Sequence, residues 1–379
     1  MGGDLLTLFL CGDVMLGRGV DQILPHPGDP ALREGYSRDA RDYVALAEAA
    51  NGPVPRPAAF SWPWGEALTA LDEAAPAVRV LNLETSVTRY SDFAPDKAIH
   101  YRMNPANLPC LAAARPDVCV LANNHVLDFG RRGLAETLAT LAEAGLRTAG
   151  AGADAAAASR PAIVPVAGGR RVLVFSFGMP SSGIPGTWAA TGDRSGVAFV
   201  AEPSRAAASG IADRIRQLKQ PGDIAVASVH WGSNWGYHVP RDQAAFAHVL
   251  LDGGVDVVHG HSSHHPRALE AYRGKLVIHG CGDLIDDYEG ITGYEHYRDD
   301  LRLLYLVSVD PDTGRLHELR IVPLQSRQMR LRPTSADDSR WLRTLLDSIG
   351  SGFAPGTTAG PRGALTLRPS SQREAGASS

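Results

Sequence analysis

The chain has 379 residues, with 37 Lys and Arg against 41 Asp and Glu, which gives a formal net charge of -4 at pH 7. This charge argues against a nucleic-acid-binding protein that works through a strongly basic surface. The four cysteines are scattered and form no CxxC spacing, which argues against a disulfide framework and a thiolate zinc site. No apolar run approaches the roughly 20 residues that span a bilayer, and the first residues lack the basic start of a signal peptide. We therefore expect a cytoplasmic protein without membrane or nucleic-acid partners; its oligomeric state stays open.

Short apolar runs rich in β-branched residues recur along the chain and alternate with helical patterns. In chain order the runs are LLTLFLCG, VRVLNLE, VCVLANN, RRVLVFSFG, DIAVASVHW, VDVVHG, KLVIHGCG and LYLVSVD. Helical patterns such as GLAETLATLAEAGL and PSRAAASGIADRIRQLKQ lie between them. Buried strands that alternate with amphipathic helices are typical of an α/β fold with a largely internal sheet.

The pattern also predicts how the chain is divided. We expect one domain over residues 1–330, a C-terminal helix within 331–350 and a disordered tail over 351–379. The tail is dominated by Gly, Pro, Ser, Thr and Ala, a composition that buries too little apolar surface to fold on its own.

Side chains that can bind metal follow five of the predicted strands at the point where each strand ends. They are Asp13, Glu84, Asn124, His125, His230, His259 and His261. One such residue alone is more often a cap, a turn former or a hydrogen-bonded core group. Ligands of open α/β sheets, however, bind outside the carboxyl ends of the strands. Five strand ends of this kind together therefore predict a divalent-metal site.

Six motifs follow one another over roughly residues 5–310: CGDVMLGR, NLETSVT, LANNHVLDFG, SVHWGSNW, GVDVVHGHSSHHP and GKLVIHGCGDLIDD. As an ordered set they resemble the calcineurin-like metallophosphoesterases, and within them the CapA family of poly-γ-glutamate capsule synthesis. The resemblance implies a four-layer α/β/β/α sandwich with the metal site at the C-terminal ends of the strands. It also implies one or two divalent ions, of which Ca, Mn, Zn and Fe are all candidates. The implied ligands are Asp13, Glu84, Asn124, His230 and His261, with Glu84 as the bridge if two ions bind.

The same resemblance implies acid/base groups beside the metal. His125 would carry protons while Asp128 orients it. His264 would be a ligand or a second acid/base group, because the GHxH motif of the superfamily is spaced GHxxH here. Cys281 is a candidate racemase-type thiol, although a buried strand cysteine is the commoner role. Met15 stands where the superfamily has the histidine of DxH, so one ion loses a ligand and a single hard ion becomes plausible.

Three residues are candidates for substrate binding. Arg18 could bind a carboxylate or a phosphate with two hydrogen bonds, and Trp231 and Trp235 could line a pocket for an indole or a peptide. The alternatives are a solvated or helix-capping arginine and ordinary core tryptophans.

Three functions fit these residues. A metal beside an imidazole can activate water, or it can polarise a carboxylate while a side chain exchanges the neighbouring Cα proton. Because we see no N-terminal membrane anchor of the capsule type, we expect no role in capsule export. The chain resembles the CapA-like epimerases of lasso-peptide synthesis. That similarity implies epimerisation at the C-terminal tryptophan of a ribosomal precursor peptide, which would be the substrate and partner. The alternatives are a metal-dependent phosphoesterase and a CapA-like protein that binds polyglutamate or a cell-wall polymer.

Overall fold

The structure is a computed structural model that describes residues 5–354 and 356–369. The strands in chain order are β1 (Leu6–Val14), β2 (Val78–Leu83), β3 (Ser86–Val87), β4 (Arg102–Met103), β5 (Val118–Val120), β6 (Arg147–Ala149), β7 (Ala151–Gly152), β8 (Ala162–Pro165), β9 (Arg171–Gly178), β10 (Gly196–Val197), β11 (Ile224–His230), β12 (Val257–His261), β13 (Leu269–Tyr272), β14 (Lys275–Ile278), β15 (Asp283–Ile285), β16 (Leu301–Val309), β17 (Leu316–Ser326), β18 (Leu331–Pro333), β19 (Thr358–Ala359) and β20 (Leu365–Leu367).

The α-helices lie between these strands. They are α1 (Gly19–Ile23), α2 (Arg41–Asn51), α3 (Glu66–Ala74), α4 (Leu108–Ala112), α5 (Gly130–Glu143), α6 (Ala155–Ser159), α7 (Arg205–Leu218), α8 (Arg241–Asp252) and α9 (Ala336–Ile349). Within the described residues, no helix combines the length and the apolar character needed to cross a bilayer.

Two large sheets carry the fold. The ten-stranded sheet has the order β19-β20-β17-β16-β1-β2-β5-β6, with β15 beside β1 and β18 beside β17. In this sheet β1 runs parallel to β2 and β15 and antiparallel to β16. The six-stranded sheet has the order β13-β14-β12-β11-β9-β8, and its four central strands run parallel. In each sheet the carboxyl ends of the parallel strands therefore meet at one edge.

The sheets pack face to face, and helices cover the outer face of each. Leu10 of β1 and Val226 of β11 belong to the apolar cluster between the sheets. Phe9, one residue earlier, packs on the outer face with Leu134 of α5, as the alternation of side chains along a strand requires. On the other side of the molecule α7 and α8 cover the six-stranded sheet, with Ile211 of α7 in their apolar cluster. The predicted α/β/β/α order of layers is confirmed.

The C-terminal segment differs from the expected disordered tail over residues 351–379. Within it, β20 pairs with β17, and Leu365 and Leu367 are buried. These leucines are two residues apart, so both face the core from the same side of the strand, and their burial explains why this segment joins the sheet. Residue 355 and residues 370–379 of the predicted tail lie outside the described part of the chain.

The approach of β1 to the chain before β15 leaves no room for a side chain at Gly12. A Cβ atom there would lie 1.7 Å from the carbonyl oxygen of Gly282 and 2.9 Å from the Cβ of Cys281. We expect Gly12→Ala to cost about 3 kcal/mol and to lower Tm by roughly 3–5 °C. Thermal unfolding followed by circular dichroism measures the change.

Gly210→Ala is the matched control, because Gly210 lies in α7 with no atom within 4 Å of an added Cβ. Alanine is the better helix former, so Tm should stay the same or rise slightly. Equal Tm values for Gly12→Ala and the unmodified chain would contradict the close approach of the two strands.

Candidate metal centre

Strand pairing brings metal-type side chains from both sheets to one end of the sandwich. Asp13 in β1 lies opposite Asn82 of β2 and opposite Asp283 of β15. In the other sheet, His230 at the end of β11 lies opposite His261 at the end of β12. The two rows meet, because Nδ1 of His261 is 4.0 Å from Oδ1 of Asp13. The centre therefore sits where the two sheets face each other at their carboxyl ends.

Among the residues that the structure describes, two groups of three buried side chains have donor atoms close enough to bind an ion each, with the donor atoms of a group within 4.8 Å of one another. The first cluster is Asp13, His230 and His261, and the second cluster is Asp13, His264 and Asp283. Asp13 is common to both, whereas the resemblance implied Glu84 as the bridge. His264 belongs to the second cluster despite its unusual spacing in the sequence.

Glu84 and Asn124, the two other predicted ligands, lie beside the first cluster. Oδ1 of Asn124 is 2.9 Å from Nε2 of His230. Oε1 of Glu84 is 3.8 Å from the same nitrogen and 3.8 Å from Nε2 of His125. Their role as ligands stays a prediction.

The buried charge of the centre fits a divalent cation. Asp13, Glu84, Asp283 and Asp286 are each at most 3% exposed. Burial and the charge of Asp283 raise the pKa of Asp13 to about 7, and burial and Asp13 raise the pKa of Glu84 above its usual range. Oδ2 of Asp13 and Oδ2 of Asp283 have no hydrogen-bond partner. A divalent cation would offset this excess negative charge and coordinate both oxygens, and the buried charge by itself does not select among Ca, Mn, Zn and Fe.

His125 lies next to the first cluster, and Asp128 fixes the orientation of its ring. Nδ1 of His125 is 2.6 Å from Oδ2 of Asp128, which also accepts the backbone N–H of Tyr101 at 2.7 Å. With the proton on Nδ1, Nε2 keeps a free lone pair on the side of Glu84. Burial lowers the pKa of His125 to about 4, so the imidazole is neutral near pH 7 and can accept a proton.

Lys97 is a member of this site that the sequence reasoning missed. Its Nζ donates hydrogen bonds to Asp128 and to the carbonyl oxygen of Asn124, and it lies 3.1 Å from Nδ1 of His125. Lys97 stands in an irregular segment between β3 and β4, where no periodicity marks one residue above its neighbours. Only the folded structure shows that Lys97 lies beside His125 and Asp128.

Arg18 is paired with side chains of the protein itself. Its Nε and Nη2 donate to the carboxylate of Asp287 at 2.8 and 2.5 Å, and its Nη1 donates to Glu34 at 2.9 Å. The guanidinium also lies 3.5 Å from the centre of the Tyr43 ring. These internal partners occupy the paired donors of Arg18, and Arg18 also lines a cavity together with Trp235. A substrate contact by Arg18 stays a prediction.

Trp231 and Cys281 lie in the apolar core, which does not fit a substrate contact by Trp231 or a racemase-type thiol at Cys281. Trp231 is 1% exposed, donates its indole N–H to the carbonyl oxygen of His279 and packs against Phe246. Cys281 belongs to the apolar cluster between the sheets, and burial raises the pKa of its thiol well above the usual range. A protonated core thiol is a poor base.

Trp235, four residues after Trp231, lies in the wall of a cavity of about 160 Å³ that adjoins the second cluster through His264. The indole stacks on Tyr294 with ring centres 4.0 Å apart and an angle of 6° between the planes. Tyr101 and Tyr288 are further members of the wall. A substrate contact by Trp235 stays a prediction.

Comparison with known sequences decides the family. Residues 7–288, well over half of the chain, match the family described as "Bacterial capsule synthesis protein PGA_cap". The chain belongs to the PGA_cap family. It is 52% identical, over 97% of both chains, to the "Probable polyglutamine synthesis accessory protein Rv0574c" of Mycobacterium tuberculosis H37Rv.

A more distant relative matches over a smaller share of the sequence. The chain is 23% identical to the "PGA biosynthesis protein CapA" of Bacillus subtilis, over 88% of this PGA_cap chain and 75% of that protein. Among solved structures it is similar to TT1561 of Thermus thermophilus, with 11% identity, a TM-score of 0.34 and coverage of 83% of this chain and 98% of that one.

The raised carboxyl pKa values make the effect of metal on stability depend on pH. A carboxyl group whose pKa is about 7 in the folded chain and about 4 in the unfolded chain takes up a proton on folding, so metal-free stability falls as pH rises through this window. A cation needs the deprotonated ligands. We therefore expect the gain in Tm on adding Mn²⁺ to be larger at about pH 8 than at about pH 5.5, measured by thermal unfolding against an EDTA-treated sample.

Asp13→Asn provides the comparison variant. Asparagine has nearly the size of aspartate and still forms hydrogen bonds, but it lacks the negative charge that both clusters share. The metal-induced gain in Tm should therefore disappear at both pH values. A gain that is the same at both pH values, or that survives in Asp13→Asn, would contradict the assignment of Asp13 to the centre.

Proposed function

We propose that this chain is a metal-dependent hydrolase that acts on a phosphoester or amide bond during the synthesis of a glutamyl polymer. The observation that carries the proposal is the position of His125. It stands between the carboxylate of Asp128, 2.6 Å from Nδ1, and Glu84 at the first cluster, 3.8 Å from Nε2. An oriented imidazole beside a candidate metal centre is the arrangement that assisted hydrolysis requires.

Different residues would transfer the proton, orient the imidazole and bind the metal in such a reaction. Nε2 of His125 accepts a proton from the attacking water and returns it to the leaving group, while Nδ1 keeps its proton on Asp128. Lys97 holds Asp128 from the other side and so fixes the plane of the imidazole ring. A divalent ion bound by the two clusters would polarise the phosphoryl or carbonyl oxygen of the substrate.

The proposal of a glutamyl polymer as the substrate rests only on similarity to other proteins. The 52% identical relative is named for polyglutamine synthesis, and the resemblance to CapA implies poly-γ-glutamate. Both are chains of amide-linked residues of the glutamyl type, and we take such a polymer or its activated precursor as the proposed substrate.

His125→Ala tests the reaction. Metal-loaded protein is incubated with an aryl phosphate and, separately, with γ-glutamyl and α-glutaminyl oligomers, and phosphate release and oligomer length are measured. We expect turnover of at least one class and a loss of about 10²–10⁴-fold in kcat/KM for His125→Ala. The class that is turned over identifies the bond.

His317→Ala is the matched control, because His317 lies in β17 near the residues that pair with the start of β1, at the far end from Asp13. Its turnover should equal that of the unmodified chain. No turnover of any substrate, together with oligomer binding that survives His125→Ala, would overturn the hydrolase and favour a non-catalytic CapA-like binding protein.

A peptide epimerase is the second candidate, and one observation favours it. Two imidazole–carboxylate pairs lie at the centre. His125 pairs with Asp128 beside the first cluster, and His264 pairs with Asp283 in the second cluster, with Nδ1 and Oδ1 2.9 Å apart. Inversion at Cα needs one group to remove the proton and another to return one from the opposite face.

Deuterium incorporation tests the epimerase. A lasso precursor peptide that ends in tryptophan is incubated with the metal-loaded protein in D₂O. We expect one deuterium at each inverted Cα, and replacement of His125 or His264 by Asn should slow exchange of that hydrogen, as mass spectrometry and chiral amino-acid analysis would show. Peptide recovered without deuterium and without inversion would contradict this function.

A further inference from the structure

The second cluster lacks a histidine that its superfamily resemblance would supply. Met15 stands at that position, is fully buried, and its sulfur accepts a hydrogen bond from the hydroxyl of Tyr288 at 3.7 Å. A thioether is a poor ligand for a hard divalent ion. Without a replacement, Asp13 and His264 would be left with too few donors to hold an ion firmly.

Asp283 stands where a replacement is needed. β15 runs parallel to β1 with Asp283 opposite Asp13, and each aspartate follows a Cys-Gly pair. The backbone N–H of Asp13 donates to the carbonyl oxygen of Gly282 at 3.3 Å, which keeps the two strand ends at the same level. Oδ2 of Asp283 is buried and has no hydrogen-bond partner, as is Oδ2 of Asp13. Donor atoms of Asp13, Asp283 and His264, one from each, lie within 4.8 Å of one another, and each of the two carboxylates keeps one oxygen without a partner.

We propose that Asp283 is the ligand that replaces the missing histidine, and that the two clusters consequently prefer different metals. The first cluster offers two imidazoles and one carboxylate, with the amide oxygen of Asn124 beside His230. The second cluster offers one imidazole and two carboxylates. Nitrogen-rich sites favour borderline ions such as Zn²⁺ or Fe²⁺, whereas oxygen-rich sites favour harder ions such as Mn²⁺ or Ca²⁺.

A buried ion network holds Asp283 in position. Asp286 lies beside Asp283, and Nη2 of Arg302 donates to Oδ2 of Asp286 at 2.5 Å. Arg302 is 2% exposed, so its charge acts without much screening by solvent. Such outer contacts restrict the orientation of a metal-binding carboxylate. The proposal rests on the metal dependence of the proposed function and not on the reaction.

Metal binding by the full chain tests the proposal without any measurement of turnover. Metal-stripped protein is titrated with Mn²⁺ and with Zn²⁺ by calorimetry, and the bound metal is counted by mass spectrometry after desalting. We expect two ions per chain, and in a mixture of both metals one Zn²⁺ and one Mn²⁺. Asp283→Asn should bind one ion, with the second Mn²⁺ site weakened by about 100-fold or more and the Zn²⁺ site changed by less than threefold.

The double variant with Met15→His and Asp283→Asn tests whether an imidazole at residue 15 can replace the carboxylate of Asp283 as a ligand. This double variant should regain the second ion, now with a preference shifted toward Zn²⁺. Unchanged binding of two Mn²⁺ ions by Asp283→Asn would overturn the proposal.

Anomalous scattering from crystals of the unmodified chain soaked in Mn²⁺ keeps the proposal falsifiable if the variants fail to fold. A manganese peak in contact with Asp283, Asp13 and His264 supports it. A single peak at His230 and His261, or a second peak without Asp283, overturns it. A hydrolase that fails its activity tests while both peaks are present would leave this inference intact.

Discussion

Parallel pairing of β1 with β15 sets two carboxylates side by side in the interior, and much of the centre is arranged around that charge. Asp13 and Asp283 lie opposite each other, and the nearby Glu84 and Asp286 are also buried. Taking such groups out of water is costly unless charges or donors compensate. Asn82 donates to both Asp13 and Glu84, at 2.7 and 3.1 Å, yet one oxygen of Asp13 remains unpartnered. The protein alone therefore leaves the charge only partly balanced.

The sandwich explains why the compensating imidazoles come from elsewhere in the chain. His230 and His261 end neighbouring strands of the six-stranded sheet, which packs its inner face against the ten-stranded sheet that carries Asp13. The carboxylates and the imidazoles of the first cluster thus belong to different layers. Their distances depend on how the apolar side chains between the sheets pack, so that core packing and the donor geometry of the centre are linked.

The sequence was enough to predict the layers and the residues that end regular strands. Alternating apolar runs predict the sheets, and Asp13, His230 and His261 stand where those runs stop. Asp283 is harder to predict as a ligand, because β15 has only three residues and its partner strand lies some 270 positions earlier. The repeated Cys-Gly-Asp tripeptide at residues 11–13 and 281–283 is the signal that could have identified it.

The remaining differences between the sequence-based expectations and the structure have two causes. They are the direction in which a side chain points and partners that lie far away in the sequence. Trp231 and Trp235 are four residues apart, yet one packs in the core and the other in a cavity wall, a distinction that composition cannot make. Arg18 looked free to bind an anion because its partner Asp287 is 269 positions away. Residues 365–367 stand in a Gly- and Pro-rich segment, and only the pairing with β17 reveals their place in the sheet.

The sharing of Asp13 by both clusters has a consequence for how the centre fills. The carboxylate of Asp13 would contact an ion in either cluster. Binding of an ion at one cluster would therefore change the free energy of ion binding at the other cluster. By thermodynamic linkage this influence is mutual and of equal size in both directions. If both clusters bind ions as proposed, the metal composition of the protein in a cell would be a property of the pair, set jointly by the supplies of both ions.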